Sequence, residues 1–204
     1  VITTLLNQTA EHFGYPTRSL SEMLSIAGKG YTHEKMLYLT TGETDSERIL
    51  AMRTWYRKIS QEQMPRLTKF FPGVPEMLRN LSQVGLKMAV VSQKMGGTLM
   101  ACLKQGGLAS YFQTVLGCED VPVPKPDPSG LLLAASRLQV LPDRCLYIGD
   151  SLIDQQAARA AGMDFAAMLQ GGTSREQFDP AAVRWYFDSA VQIARMFVNG
   201  LLQK

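Results

Sequence analysis

From Phe70 onward the chain alternates short apolar runs with amphipathic helical stretches, and that rhythm admits few folds. Leu86 to Val91 (LKMAVV), Thr114 to Leu116, Cys145 to Ile148 and Phe165 to Leu169 read as buried strands. Between them the pattern predicts helices from Pro72 to about Gln83, Gly97 to Gln105, Ser129 to Leu138 and Leu152 to Ala161. Phe187 to Val198 forms a closing amphipathic helix. Strands joined by helical crossovers build a parallel sheet covered on both faces, so the expected class is α/β, a Rossmann-like three-layer core. Residues 1 to about 68 differ. They carry helical stripes, such as Leu5, Thr9 and His12, with almost no strand-like run. Ser19 followed three residues later by Glu22 predicts a capping box there.

In an open parallel sheet, ligands sit beyond the carboxyl ends of the strands, so the polar residues at those ends carry the functional signal. Ser92 follows the first strand, and Gly149-Asp150-Ser151 follows Ile148, with Asp154 one helical turn later. Two carboxylates at i and i+4 on one face repel unless a cation lies between them, and magnesium takes such oxygen ligands. The same pair also fits a helix N-cap and a solvated acid. Gly149 is expected to allow a sharp backbone turn. Lys125, flanked by prolines in VPVPKPDP, is held on a stiff loop where an ammonium can clamp a phosphoryl group. Read alone, it is more often a solvated surface lysine, and Ser92 more often a cap or turn residue.

Ser92, then Lys125 in KPDP, then GDSLIDQQAARAAG occur in the order of the haloacid dehalogenase superfamily. The chain resembles its phosphoglycolate phosphatase-like branch, which has a helical cap. The resemblance implies a small all-helical cap at 1–68 and a phosphatase core at 69–204. It further implies that Ser92 and Gln93 bind phosphate, with Lys125 stabilising both nucleophile and phosphoryl group. Asp150 would ligate Mg²⁺, and Asp154 would join it directly or through water. The implied activity is Mg²⁺-dependent hydrolysis of a small phosphate monoester through an aspartyl-phosphate. The Gly-Asp pair favours phosphate chemistry over carbon–halogen cleavage. Lys29 and Gly30, with Tyr31 and His33, form the cap loop expected to reach substrate.

The family's opening DxDGT motif, whose first Asp is the nucleophile, has no counterpart here, because no Asp precedes Asp45. The core is therefore expected to lack its first strand, the nucleophile lying upstream. Without that strand, the ends at Val91 and Ile148 face an unpaired inner edge. Two other functions fit less of the sequence: a sugar-phosphate phosphomutase of the same fold, and a non-catalytic phosphate- or nucleotide-binding relative. The latter lacks a GxGxxG after any strand, Gly171-Gly172 being too sparse a replacement.

The partner expected is thus a small phosphorylated metabolite. A net charge of +3 spread over 204 residues gives no basic stripe for nucleic acid, and no apolar run approaches a membrane span. Three widely spaced Cys, at 102, 118 and 145, read as reduced buried thiols in a cytoplasmic protein.

Overall fold

A computed structural model of the chain describes residues 1–26 and 31–198. The chain divides into two compact units, Val1–Thr68 and Lys69–Lys204.

The first unit is helical throughout its described residues: α1 (Ile2–His12), α2 (Leu20–Ile26), α3 (His33–Thr41) and the long α4 (Ser46–Leu67). Leu5, Leu6, Met23, Leu37, Met52 and Tyr56 are buried between them. The predicted capping box forms: Ser19 N–H and Oγ donate to the Glu22 carboxylate at 2.9 and 2.6 Å. Asp45 caps α4, its side chain accepting the Arg48 N–H at 2.8 Å. His12 stacks on Trp55 with ring centroids 4.3 Å apart.

The second unit is a parallel α/β core, running α5 (Val74–Gln83), β1 (Ala89–Val91), α6 (Gly96–Gln105), β2 (Thr114–Leu116), α7 (Ser129–Leu138), β3 (Leu146–Gly149), α8 (Leu152–Ala161), β4 (Asp164–Met168), β5 (Trp185–Phe187) and α9 (Ala190–Val198). Strand alternation sorts its core into two faces. Leu146, Ile148, Ala166 and Met168 meet α5 and α9 on one side, through Met77, Leu81 and Ile193. Tyr147, Phe165 and Ala167 meet α7 and α8 on the other, through Leu131, Ala157, Ala158 and Ala161. This is a sheet with a helical layer on each face.

The sheet comes in two hydrogen-bonded pieces, β1-β2 and β3-β4-β5, every pairing parallel. Both helical layers span the division: Met77 of α5 packs into clusters on both pieces, and Val91 of β1 and Tyr147 of β3 share the cluster around Leu131.

Three details differ from expectation. β1 is confined to Ala89–Val91, because Leu86 is exposed and Met88 N–H turns to the Gln113 side chain at 2.7 Å. Phe187, expected to open the closing helix, instead ends β5 (Trp185–Phe187), and α9 begins only at Ala190. Aromatic residues favour a pleated, half-buried surface, and the ladder from Leu169 N–H to the Phe187 carbonyl (2.8 Å) fixes them there. Of the cysteines only Cys102 is buried; Cys118 and Cys145 are partly exposed. Among the described residues no helix is long and apolar enough to cross a membrane.

Candidate active site

Parallel strands end at one edge, so the residues following β1 and β3 gather there. Lys125 arrives on the proline-rich loop before α7. Its Nζ donates to Asp154 Oδ1 at 2.6 Å and to the Tyr147 hydroxyl at 2.8 Å. The hydroxyl in turn donates to the same carboxylate oxygen at 2.9 Å. Both ends of the ion pair are withdrawn from solvent, their side chains 12% and 6% exposed. The other oxygen, Oδ2, accepts Ser151 N–H at 3.1 Å and Ser151 Oγ at 2.5 Å, which ties Asp154 to the first turn of α8.

Burial by itself drives the Asp154 carboxyl upward, but the Lys125 charge and the bonds from Lys125, Ser151 and Tyr147 outweigh it and hold it below the usual carboxylate range. The Tyr147 hydroxyl is pushed well up, by burial first and then by the Asp154 charge. Asp150 moves the opposite way from Asp154. Although Asp150 keeps an exposed side, partial withdrawal of its carboxyl from water and then the neighbouring Asp154 charge raise it, against weaker relief from a backbone hydrogen bond, Lys125 and Lys94.

Ser92 sits at the end of β1. Its N–H continues the ladder to the Leu116 carbonyl at 2.9 Å, and its Oγ accepts the Lys94 N–H at 3.2 Å. Gln93 Nε2 reaches the Lys125 carbonyl at 3.4 Å, a link between the β1 loop and the lysine loop. Ser92, Gln93, Pro124, Lys125 and Asp127 line one small recess. The structure thus brings Ser92, Gln93, Lys125, Asp150 and Asp154 to one rim. Lys29 and Gly30 lie outside the described residues.

Gly149 is needed for a different reason from the one the sequence suggests. Its φ is not left-handed, and it closes β3 in regular extended backbone. A Cβ there would fall 2.4 Å from Asp154 Cβ and 2.7 Å from its Cγ, so the glycine makes room for the acid.

Two contributors escaped the sequence reading. Tyr147 is hidden inside an apolar run, where alternation sets it on the face opposite Leu146 and Ile148 but does not mark the lysine that meets it. Lys94, two residues past Ser92, has a signal in its spacing, since it is the next cation on the same loop.

Among the described residues no group of three or more His, Cys, Asp or Glu could hold a metal. The donors present still fit magnesium, which uses one or two carboxylates and fills its other positions with water and substrate phosphate. Asp150 forms no ion pair among the described residues, and its destabilised negative charge gains from a cation; both Asp154 oxygens already accept protein donors.

A family model described as haloacid dehalogenase-like hydrolase matches residues 1–168. A phosphoglycolate phosphatase of Nitrosospira multiformis is 33% identical over 164 residues, 79% of this chain and 72% of that protein. The pyrophosphatase PpaX of Bacillus velezensis is 31% identical over 147 residues, 71% of this chain and 68% of that one. A crystal structure from Bacteroides fragilis, described as a haloacid dehalogenase-like hydrolase, superposes with a TM-score of 0.85 at 31% identity, covering 94% of this chain and 90% of its own. A hydrolase from Pseudomonas syringae, at 20% identity, shares the fold with a TM-score of 0.78, over 97% and 90% of the two chains.

Proposed function

Because the chain belongs to the haloacid dehalogenase-like hydrolases, we propose that it is the phosphate-binding and charge-stabilising part of a phosphatase that hydrolyses a small phosphate monoester with Mg²⁺. The observation that carries this reading is the buried Lys125–Asp154 pair at 2.6 Å, at the same sheet edge as Ser92 and Asp150. An ammonium has three donors, and two are engaged here, by Asp154 and Tyr147. The third serves the incoming phosphoryl oxygens and the attacking carboxylate. Asp154 and Tyr147 orient Lys125 for that task, and Ser92 and Gln93 donate to the phosphate.

Magnesium would be held by Asp150, with Asp154 reaching it through water, and would supply charge neutralisation for a dianionic ester. Phosphoryl transfer depends mainly on positioning and electrostatics, so a preformed cation beside a carboxylate suits the chemistry. The attacking carboxylate is proposed to come from an additional parallel strand laid between β1 and β3. Two features support that: the sheet is divided at this point, and helices on both faces already bridge it. As the carboxylate oxygen bonds to phosphorus, the ester P–O bond would break and the alcohol would leave with a proton; water would then hydrolyse the aspartyl-phosphate, releasing inorganic phosphate and restoring the carboxylate. Residues 1–68 would act as the cap that selects the ester, in a reduced cytoplasmic setting.

Given the relatives' names, phosphoglycolate, a monoester, and pyrophosphate, an anhydride, are the first substrates to assay. The natural gene product is expected to release phosphate only with Mg²⁺. Lys125→Ala should lower kcat by about 100-fold or more, as loss of a charge-stabilising donor does. Release that is indifferent to chelator contradicts the metal assignment. Full turnover by a chain of these 204 residues alone contradicts the inserted strand.

A further inference from the structure

Gly171 and Gly172 stand side by side in the loop after β4, and only one of them touches the site. A Cβ built on Gly171 falls 2.3 Å from both Cβ and Oδ2 of Asp150, and 2.7 Å from its Cγ. A Cβ built on Gly172 meets nothing within 4 Å. Neither residue has a φ in the left-handed region, so backbone conformation demands glycine at neither position. At 171 the demand is for space.

The topology explains the approach. β3 and β4 pair in parallel with Gly149 opposite Ala167, so the chain leaves both strands at the same edge. Asp150 follows one strand end and Gly171 lies just past the other. The backbone at 171 therefore backs directly onto the Asp150 side chain, much as Gly149 backs onto Asp154.

We propose that Gly171 is a positioning residue, its bare backbone seating the Asp150 carboxylate in the orientation that accepts a divalent cation. This rests on the proposed role of Asp150. A side chain at 171 cannot be accommodated by swinging Oδ2 aside, because the Asp150 Cβ is equally close and moves only with the end of β3. Ordinary contact requires a shift of about 1 Å, and disturbing a group that orients a metal ligand costs about 10–100-fold in metal affinity.

The test is calorimetric titration of Mg²⁺, in the presence of inorganic phosphate, into the unaltered protein, Gly171→Ala, Gly172→Ala and Asp150→Asn. Thermal unfolding of each without metal accompanies it. Gly171→Ala is expected to weaken Mg²⁺ binding by about tenfold or more. Gly172→Ala should bind as the unaltered protein does. Equal weakening in both glycine variants reduces the effect to general loop disturbance and overturns the proposal, as does undiminished binding in Gly171→Ala.

The Asp150→Asn arm separates the two levels of the argument. If it binds Mg²⁺ like the unaltered protein, the role of Asp150 fails and takes Gly171 with it. If it loses binding while Gly171→Ala keeps it, only the positioning inference fails. Should Gly171→Ala not fold, the Gly171→Ala, Asp150→Gly double variant decides. Recovery of its melting temperature locates the collision at Asp150, and no recovery overturns the proposal.

Discussion

The buried Lys125–Asp154 pair makes a sharp energetic prediction. Asp154→Asn keeps the shape and an acceptor for Ser151 but leaves a largely buried ammonium with Tyr147 as its remaining hydrogen-bond partner. Breaking a buried pair in this way costs about 3–5 kcal/mol of stability. Lys125→Met removes the other partner, yet Asp154 still accepts from Tyr147 and twice from Ser151, so the loss should be smaller, about 2 kcal/mol. The double variant leaves no buried charge. It should lose about 2–3 kcal/mol in all, so the singles do not add and the coupling energy is about 3–4 kcal/mol. Urea unfolding read from Trp185, with Trp55→Phe removing the signal of the other unit, gives each midpoint. The Arg184–Asp164 pair, with side chains 55% and 38% exposed, is the internal control and should couple by less than about 1 kcal/mol. Losses that add to within about 0.5 kcal/mol at Lys125 and Asp154 would refute the reasoning, because two groups that share a buried field cannot be independent.

Other consequences are simpler to check. Asp45→Ala removes the side-chain cap of the 22-residue α4 and should cost the helical unit about 1 kcal/mol, read by circular dichroism melting. Gly106→Ala drives a Cβ to 2.2 Å from Phe70 Cε2, so the α/β unit should melt several degrees lower, whereas Gly97→Ala, with nothing within 4 Å, should not. Burial acts to raise the Glu34 carboxyl, but the hydrogen bond and charge of Arg53 outweigh it and leave it below its ordinary value. A depressed folded-state value contributes stability above the unfolded carboxyl range, near 4, that is lost as pH falls through the folded value. Because the pair is partly exposed, the contribution is under about 1 kcal/mol. Glu34→Gln should flatten acid unfolding monitored at Trp55 below about pH 4, and an unchanged profile would remove the pair from the account.

Periodicity made much of this legible beforehand. Alternation of strand and helix fixed the α/β core, and the strand-end rule directed attention to Ser92, Lys125 and Asp150. Tyr147 was not legible, because a period of two says which face a residue takes but not which distant loop covers that face. Its hydroxyl acquires meaning only when Lys125 arrives from 22 residues away. The requirement at Gly149 was misjudged for a related reason. Glycine in a sequence suggests a turn, whereas a demand for space comes from a neighbour, here Asp154 folding back from α8. β5 was hidden by the helix that follows it, since Phe187 suits the last position of one element as well as the first of the other.

The division of the sheet has a consequence for how the site is held. Ser92 and Gln93 belong to the β1-β2 piece, while Asp150 and Asp154 belong to the piece led by β3. Among the described residues no ladder hydrogen bonds join the two pieces, so their separation is set by side-chain packing: Met77 on one face, and Val91, Leu131 and Tyr147 on the other. Packing contacts resist sliding less than a ladder does, because dispersion is non-directional while hydrogen bonds fix register. One direct polar tie is Gln93 Nε2 to the Lys125 carbonyl, long at 3.4 Å and near the limit of a useful bond. Lys125 itself is anchored to the β3 side through Asp154. The half that carries Ser92 and Gln93 is therefore the looser one. A strand inserted between the pieces would convert two packed half-sheets into one ladder and bring Ser92 into fixed register with Lys125 and Asp150. On that argument, amide exchange should be faster in β1 than in β4, whose neighbours β3 and β5 hold it on both sides. Equal protection in the two strands would mean that the helical layers alone lock the halves together.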